Sequence, residues 1–173
     1  MIKAAFCDDD LSVLNELHVL MDNYRVERNQ EITYTAFHSP LELIAQIEKG
    51  MRFDILFLDV LMPGVNGIET AQEIREYDSA MKIIFLTSSA EYAVESYTVN
   101  AYFYQLKPIW PESFYRLMDS VLKECAQEQR RSLILRCKSG ITQILCTVRS
   151  RDGHWSFICR TANSWRVWEV WMI

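Results

Sequence analysis

The sequence lacks several features that would assign it to particular classes of protein. It has no apolar run approaching the roughly 18 residues of a membrane-spanning helix, and its opening letters MIKAAFCDDD reach three carboxylates before a signal-peptide core could form. It has no excess of positive charge, since the formal net charge is −5, which argues against nucleic-acid binding by the whole chain. Its five cysteines are scattered and lack metal-ligand spacing, which is typical of reduced thiols. We therefore expect a cytoplasmic globular protein that does not bind membranes.

The sequence does contain a regular alternation of two patterns over roughly its first 125 residues. Short apolar runs predict buried strands, and longer segments with apolar residues three or four apart predict helices. The predicted strands are IKAAFC, EITYTAF, FDILFLDV, KIIFLTS and AYFYQL. The predicted helices are LSVLNELHVLMDNYRVER, SPLELIAQIEKG, IETAQEIREY, AEYAVESYTV and PESFYRLMDSVLKECAQEQ, and PGVNG is predicted to be a loop. This alternation predicts an α/β fold with a five-stranded parallel sheet that carries helices on both faces.

Polar side chains follow most of the predicted strands, at the point where each strand ends. They are carboxylates, hydroxyls and one ammonium group: Asp8, Asp9, Asp10, Asp59, Thr87, Ser88 and Lys107. Because the carboxyl ends of parallel strands meet at one edge of a sheet, we expect these side chains to lie close together. Any one of them alone would be unremarkable, and their coincidence at one edge is what predicts a functional site.

The residue types at this edge indicate phosphoryl chemistry with a metal. Carboxylates drawn together repel unless a cation intervenes, and a hard divalent ion such as Mg²⁺ prefers oxygen ligands of this kind. A carboxylate beside such an ion can attack phosphorus and form an aspartyl-phosphate. The ammonium group of Lys107, the hydroxyl of Thr87 and nearby backbone N–H groups could neutralise the remaining phosphoryl oxygens.

The motifs CDDD, LDVLMPGVNGIE, IIFLTSS and YFYQLKP, in this order, resemble the receiver domain of two-component response regulators. The resemblance covers residues 1–125 and implies a doubly wound sheet with the strand order 2-1-3-4-5. It implies a sensor histidine kinase as the partner that donates the phosphoryl group. It also implies that the protein is not an enzyme, apart from catalysing its own phosphorylation and dephosphorylation.

The resemblance implies a role for each residue of the phosphorylation site. By position, Asp59 resembles the phosphoacceptor, Asp9 the direct Mg²⁺ ligand and Asp8 a ligand that acts through water. The backbone carbonyl of Leu61 resembles the third protein ligand of the metal, beside Asp59 itself. An apolar side chain at Leu61 departs from the polar residue common in the family, and we hypothesise that it hinders water attack and lengthens the phosphoryl lifetime.

The resemblance also implies a switch. Thr87 resembles the switch hydroxyl, Lys107 the phosphate-pairing lysine, Pro108 the proline after it that is cis in the family, and Tyr104 the rotating aromatic residue. On phosphorylation Thr87 would move toward the phosphoryl group and Tyr104 would fill the vacated space. The face formed by the fourth helix, fifth strand and fifth helix would then form a homodimer. Tyr104 lies in an aromatic run that could also be plain core packing.

A phosphatase resembling the haloacid dehalogenases is the alternative from another class. In that interpretation of DDDLS, Asp8 would be the nucleophile and Asp10 the general acid and base, with Thr87 and Lys107 binding phosphate. It leaves Asp59 and the following MPG without a role, and it needs a later acidic pair that the residues after Lys107 do not supply.

The residues after the receiver-like part predict a second, incomplete unit. Residues 126–132 are polar and predict a linker, and LILRCKSG alternates like a new strand. A receiver followed by such a strand resembles the LytTR class, whose β-rich output domain binds DNA. That domain is longer than residues 133–173, so we expect a truncated output domain, with DNA binding expected for the intact family and doubtful for this chain. A stand-alone receiver that acts through protein contacts is the alternative.

The final 20 residues, HWSFICRTANSWRVWEVWMI, hold four of the five tryptophans. Alternating basic and aromatic residues could stack on nucleic acid or lie at a membrane interface, but SWRVWEVW alternates as a strand with bulky groups on both sides. Tryptophan has a single codon, and reading one base earlier turns it into leucine, methionine or valine. That shifted frame permits two alternating strands that resemble the LytTR domain. We hypothesise a one-base frameshift near residues 140–142, leaving a short β-type fragment that is aberrant from about 141.

Overall fold

The computed structural model describes residues 1–131, 149–151, 154–161 and 164–171. The chain divides into two compact units, Met1–Val121 and Leu122–Ile173. In the residues that the structure describes, no helix combines the length and the apolar character that crossing a membrane requires.

The strands and helices lie close to where the sequence predicts them. The first seven strands are β1 (Ile2–Cys7), β2 (Ile32–Phe37), β3 (Ile55–Leu58), β4 (Leu61–Met62), β5 (Val65–Asn66), β6 (Lys82–Thr87) and β7 (Phe103–Leu106). The helices are α1 (Leu11–Arg28), α2 (Pro40–Glu48), α3 (Gly67–Tyr77) and α4 (Pro111–Arg131). The helix starts are fixed by side chains that accept from the backbone, as Asp10 does for α1, Ser39 for α2 and Asn66 for α3.

Five of these strands form one parallel sheet in the order β2-β1-β3-β6-β7. The predicted doubly wound α/β fold with the order 2-1-3-4-5 is therefore confirmed, because β6 and β7 are the fourth and fifth strands of this sheet. In the central strands, whole stretches such as Ile55–Leu58 are buried, since the strand is covered on both faces. The register places Cys7 of β1 beside Leu58 of β3, so the residues that follow the two strands emerge at the same edge.

Two local predictions differ from the structure. AEYAVESYTV was predicted to be a helix, but it forms two 3₁₀ segments, Glu91–Ala93 and Glu95–Val99. Only Ser96 and Val99 of these segments are buried, so the sequence lacks the continuous apolar stripe that packing stabilises in an α-helix. PGVNG was predicted to be a loop, and it contains part of a hairpin in which β4 and β5 pair antiparallel. Strands of two residues are too short to show a period in the sequence.

The second unit contains a three-stranded antiparallel sheet in the order β10-β9-β8. Its strands are β8 (Arg149–Arg151), β9 (His154–Thr161) and β10 (Ser164–Trp171). The strand predicted for SWRVWEVW and the predicted β-type fragment are observed as β10 and this sheet. Residues 126–131, predicted to be linker, continue α4. The predicted strand LILRCKSG and the hypothesised frameshift point at 140–142 lie outside the described residues.

Candidate functional site

Three carboxylates meet at the carboxyl edge of the sheet. One carboxylate oxygen from each of Asp8, Asp9 and Asp59 lies within 4.8 Å of the others. Asp8 follows β1 and Asp59 follows β3, and the two strands are held level by a 2.9 Å hydrogen bond from the Asp59 amide to the Cys7 carbonyl. The side chains of Asp8 and Asp59 are buried, whereas Asp9 is exposed. The edge therefore concentrates negative charge in a place with little access to water.

Lys107 brings the opposite charge to this cluster. Its Nζ lies 2.7 Å from Asp59 Oδ2 and 2.8 Å from Asp8 Oδ2. The Lys107 amide donates to the Thr87 carbonyl at 2.9 Å, which ties the end of β7 to the end of β6, and the peptide bond from Lys107 to Pro108 is cis. Burial disfavours the ammonium form, but the contacts with Asp59 and Asp8 outweigh burial and raise the pKa of Lys107. The ammonium group thus remains charged at neutral pH.

Asp8 is a buried carboxylate with a partner on each oxygen. Its Oδ1 accepts from the Asp10 amide at 3.0 Å, and its Oδ2 lies 2.8 Å from the Lys107 ammonium group. Burial raises the pKa of Asp8, and the lysine contact and the Asp10 amide oppose that rise. A buried carboxylate beside two further carboxylates fits the oxygen ligands that a hard divalent cation prefers.

Asp59 is held in place by its own backbone neighbourhood. Its Oδ1 accepts from the Leu61 amide at 3.1 Å, and the Leu61 side chain is 44% exposed beside it. Gly67, the first residue of α3, lies directly under the Asp59 carbonyl, since a Cβ built on Gly67 would stand 2.1 Å from that oxygen. The sequence pattern did not single out Gly67, because nothing in PGVNGIE distinguishes this close approach from ordinary turn chemistry.

Thr87 and Tyr104 meet at Ser89, beyond the end of β6. Thr87 is fully buried, and its Oγ1 accepts from the Ser89 amide at 3.4 Å. The hydroxyl of Tyr104 donates to the Ser89 carbonyl at 2.6 Å, and its ring packs against the core with Phe85 at 6.1 Å between centroids. Burial, followed by the charge of Asp59, raises the pKa of Tyr104, so this hydroxyl remains a donor.

Asp10 and Cys7 lie next to the carboxylate cluster but have other roles. The Asp10 carboxylate begins α1, accepting from the Ser12 amide at 2.8 Å and from the Ser12 hydroxyl at 2.6 Å. That engagement argues against the general acid and base role that the phosphatase alternative requires of Asp10. Burial, assisted by the nearby carboxylates, raises the pKa of Cys7 to about 12, so its thiol stays protonated at neutral pH.

A sequence profile described as the response regulator receiver domain matches residues 5–119. The match spans more than half of the chain, and the chain therefore belongs to the response regulator receiver family. Members of this family are generally signal transducers rather than enzymes, interact with sensor kinases in two-component systems, and typically bind Mg²⁺ through acidic residues.

The relatives of the chain include a transcriptional regulatory protein and a sensory transduction protein. The transcriptional regulatory protein BtsR of Salmonella typhi is 30% identical over 155 residues, which cover 87% of this chain and 60% of that protein. The sensory transduction protein LytT of Oceanobacillus iheyensis is 38% identical over 80 residues, which cover 45% of this chain and 32% of that protein. The chain thus covers at most 60% of the length of either relative.

A solved structure shows the same fold. The response regulatory domain of protein mrkE from Klebsiella pneumoniae superposes with a TM-score of 0.65 at 23% identity, covering 73% of this chain and 99% of that domain.

Proposed function

We propose that the protein is a two-component response regulator that accepts a phosphoryl group on Asp59 from a sensor histidine kinase. The observation that carries the proposal is the position of Lys107 Nζ, 2.7 Å from Asp59 Oδ2 and 2.8 Å from Asp8 Oδ2, at the centre of the carboxylate cluster. An ammonium group held between two buried carboxylates lies where negative charge would accumulate if Asp59 were phosphorylated.

The proposed step is an in-line phosphoryl transfer. A carboxylate oxygen of Asp59 forms a bond to phosphorus while the bond from phosphorus to the donor nitrogen of the kinase breaks, and the nitrogen leaves with the electron pair. The Leu61 amide orients Asp59, and Lys107 neutralises charge beside it. The Thr87 hydroxyl, whose oxygen now accepts from the Ser89 amide, becomes a donor to the phosphoryl group.

The proposed cofactor is Mg²⁺. Asp8, Asp9 and Asp59 would hold it together with the backbone carbonyl of Leu61, and their oxygens are the donor type that this ion prefers. When bound, the ion neutralises negative charge on the oxygens of the transferring phosphoryl group. The convergence of three carboxylate oxygens within 4.8 Å of one another supports this assignment.

We further propose that phosphorylation acts through Thr87 and Tyr104 on a dimerisation face. The two 3₁₀ segments, β7 and α4 form this face, and it exposes the apolar side chains Val94, Tyr97, Phe103 and Leu106. The similarity to the transcriptional regulatory protein BtsR supports our proposal that the output is transcription control, and we propose that the protein acts in the cytoplasm. We propose that the residues after the receiver domain belong to an output domain of the LytTR type, which binds DNA.

Labelling with a small phosphodonor tests the phosphoacceptor. The full chain is incubated with radiolabelled acetyl phosphate and Mg²⁺, and we expect labelling of the native protein that Asp59→Asn and EDTA both abolish. The Glu48→Gln variant, on the exposed end of α2, is the control and keeps the label. Labelling that persists in Asp59→Asn, or release of phosphate from a stable phosphoester by an Asp8-dependent reaction, contradicts the proposal and favours the phosphatase alternative.

A further inference from the structure

The guanidinium group of Arg75, near the end of α3, donates to four backbone carbonyls from separate parts of the chain. In order of donor–acceptor distance the acceptors are the carbonyls of Val99 (2.8 Å), Met81 (2.8 Å), Asp78 (3.1 Å) and Asn100 (3.2 Å). Val99 and Asn100 end the second 3₁₀ segment, whereas Asp78 and Met81 lie between α3 and β6. One side chain therefore joins the turn before β6 to the end of the 3₁₀ region.

The turn before β6 is a rigid support for this side chain. The carboxylate of Asp78 accepts from the Ala80 amide at 2.9 Å and from the Met81 amide at 3.1 Å, which fixes the turn from within. Half-burial lowers the pKa of Arg75, and the charge of Asp78 opposes the shift, so the guanidinium remains protonated. Its planar fork carries five N–H donors on three nitrogen atoms and so reaches acceptors on two separate segments, whereas the three donors of a lysine ammonium group all leave from one atom.

The segment of residues 88–100 is thereby attached at both ends, and most of the side chains between them are exposed. At its start, the Ser89 amide and carbonyl bond to Thr87 and Tyr104, and the Ser89 hydroxyl accepts from the Glu91 amide at 3.2 Å. In its middle, Val94 and Tyr97 are 78% and 83% exposed. The start of the segment is therefore connected to the phosphorylation site and its end to Arg75.

We propose that Arg75 is the fixed pivot about which segment 88–100 moves when the phosphorylation site changes state. Arg75 is a positioning residue in this role, since it touches none of the reacting groups. The inference rests on the proposed function, because the displacement at Ser89 would come from phosphorylation at Asp59.

A fixed end is needed because the segment is built from weak turns. Short 3₁₀ turns have poorer hydrogen-bond geometry than an α-helix and fray readily. If the far end were free, a displacement at Ser89 would be absorbed by fraying nearby. With the Val99 and Asn100 carbonyls held, the same displacement turns the segment as a unit and moves the exposed side chains Val94 and Tyr97.

Amide hydrogen exchange of the full chain tests the pivot. We compare the native protein with Arg75→Met, each with and without beryllium fluoride and Mg²⁺, which together mimic a phosphoryl group on a carboxylate. The reporter amides are Asn100, Ala101 and Tyr102, which donate to Tyr97, Ser96 and Ile83. In Arg75→Met without the mimic we expect these amides to exchange about tenfold faster, the effect of losing charged hydrogen bonds.

The response to the mimic separates a pivot from a merely structural contact. In the native protein we expect the mimic to change exchange in residues 88–97 and to leave residues 100–102 protected. In Arg75→Met we expect the change in exchange rate that the mimic causes in residues 88–97 to be at least about twofold smaller. Asp59 should still be labelled to the same extent as in the native protein. Arg52→Met is the matched control, because Arg52 also donates to backbone carbonyls, those of Ile47 and Met51, but at the end of α2.

The outcomes distinguish this inference from the proposed function. The pivot is overturned if residues 100–102 of Arg75→Met exchange within twofold of the native rate. It is also overturned if the mimic changes exchange in residues 88–97 of Arg75→Met as much as in the native protein. A native protein that neither labels at Asp59 nor responds to the mimic overturns the proposed function and, with it, the pivot. If Arg75→Met does not fold, Arg75→Lys carries the same test, and we expect about a threefold increase in exchange because one of the four contacts is retained.

Discussion

The carboxylate edge of the sheet and segment 88–100 lie at neighbouring strand ends but are built in opposite ways. At the edge Asp8 and Asp59 are buried, and their carboxylates are held by backbone amides and by Lys107. The segment keeps most of its side chains in solvent and buries only Ser96 and Val99. The difference fits the proposed function, because phosphoryl chemistry needs groups whose geometry is fixed in advance, whereas a conformational signal needs a segment that costs little free energy to move.

The largest expected effect comes from removing the charge at the centre of the edge. Lys107→Met leaves the buried Asp8 and Asp59 carboxylates without a counter-charge, so we expect a loss of about 3 kcal/mol in the free energy of unfolding measured in EDTA. Mg²⁺ should restore part of that loss. The control is Lys49→Met, an exposed residue after α2, which should change stability by less than about 0.5 kcal/mol. If urea unfolding gave the same loss of free energy for Lys107→Met and Lys49→Met, the view of the carboxylate edge as a site fixed by Lys107 would be wrong.

The next largest loss of stability is expected where the start of α3 approaches the backbone of Asp59. In Gly67→Ala the new methyl group would meet the Asp59 carbonyl and the Val60 Cα, both backbone atoms, so the chain must shift at a cost of about 2–3 kcal/mol. Gly50→Ala has open space around it and a φ of +96°, so only backbone strain of about 1 kcal/mol is expected. Thermal unfolding measures both, and a smaller loss for Gly67 than for Gly50 would show that the edge is not rigid.

A smaller effect is expected at Leu61, whose side chain is 44% exposed beside Asp59. If the Leu61 side chain hinders water attack, Leu61→Asn should shorten the half-life of phosphorylated Asp59 about threefold. Leu41→Asn changes an exposed leucine on α2 and should leave the half-life unchanged. The measurement is loss of radiolabel after removal of the phosphodonor. If phosphorylated Asp59 of the native protein had a half-life of only seconds, this hypothesis would be wrong.

Substitution within segment 88–100 should have little effect on stability. Tyr97→Ser removes a side chain that is 83% exposed, so we expect a change below about 0.5 kcal/mol, together with weaker phosphorylation-dependent dimerisation in sedimentation experiments. Val99→Ala, at a buried position of the same segment, should cost about 2 kcal/mol. A strongly destabilised Tyr97→Ser would show that the middle of the segment is held more firmly than its exposure indicates.

No effect on phosphotransfer is expected from the tail. Deleting residues 141–173 should leave the labelling rate of Asp59 within about twofold of the native rate, because the carboxylates, Lys107 and Thr87 all lie in the first compact unit. Loss of labelling would contradict this expectation. The coding DNA tests the frameshift hypothesis separately, since a shifted frame with stop codons or without alternating strands would rule it out.

The sequence predicts what depends on pattern and misses what depends on distant geometry. Continuous apolar runs locate the central strands, and the polar residues after them locate Asp59 and Lys107 at one edge. The contact of Gly67 with the Asp59 carbonyl and the four carbonyls around Arg75 cannot be predicted this way. The local sequence around a glycine or a helical arginine does not reveal which distant backbone segment will pack against it. The 3₁₀ segments were mistaken for a helix because AEYAVESYTV contains helix-forming residues but too few buried anchors.

The three residues Asp8, Asp9 and Asp10 form the whole connection between β1 and α1. Asp8 is tied to Lys107, and two residues later the Asp10 carboxylate is tied to the first turn of the helix. Because the peptide between these two anchors is short, we expect a displacement of α1 along its axis to be transmitted to Asp8 and Asp9. In mechanical terms α1 would act as a lever, and we expect a partner that pushes on the exposed side of this helix to change the distance from Asp8 and Asp9 to Asp59.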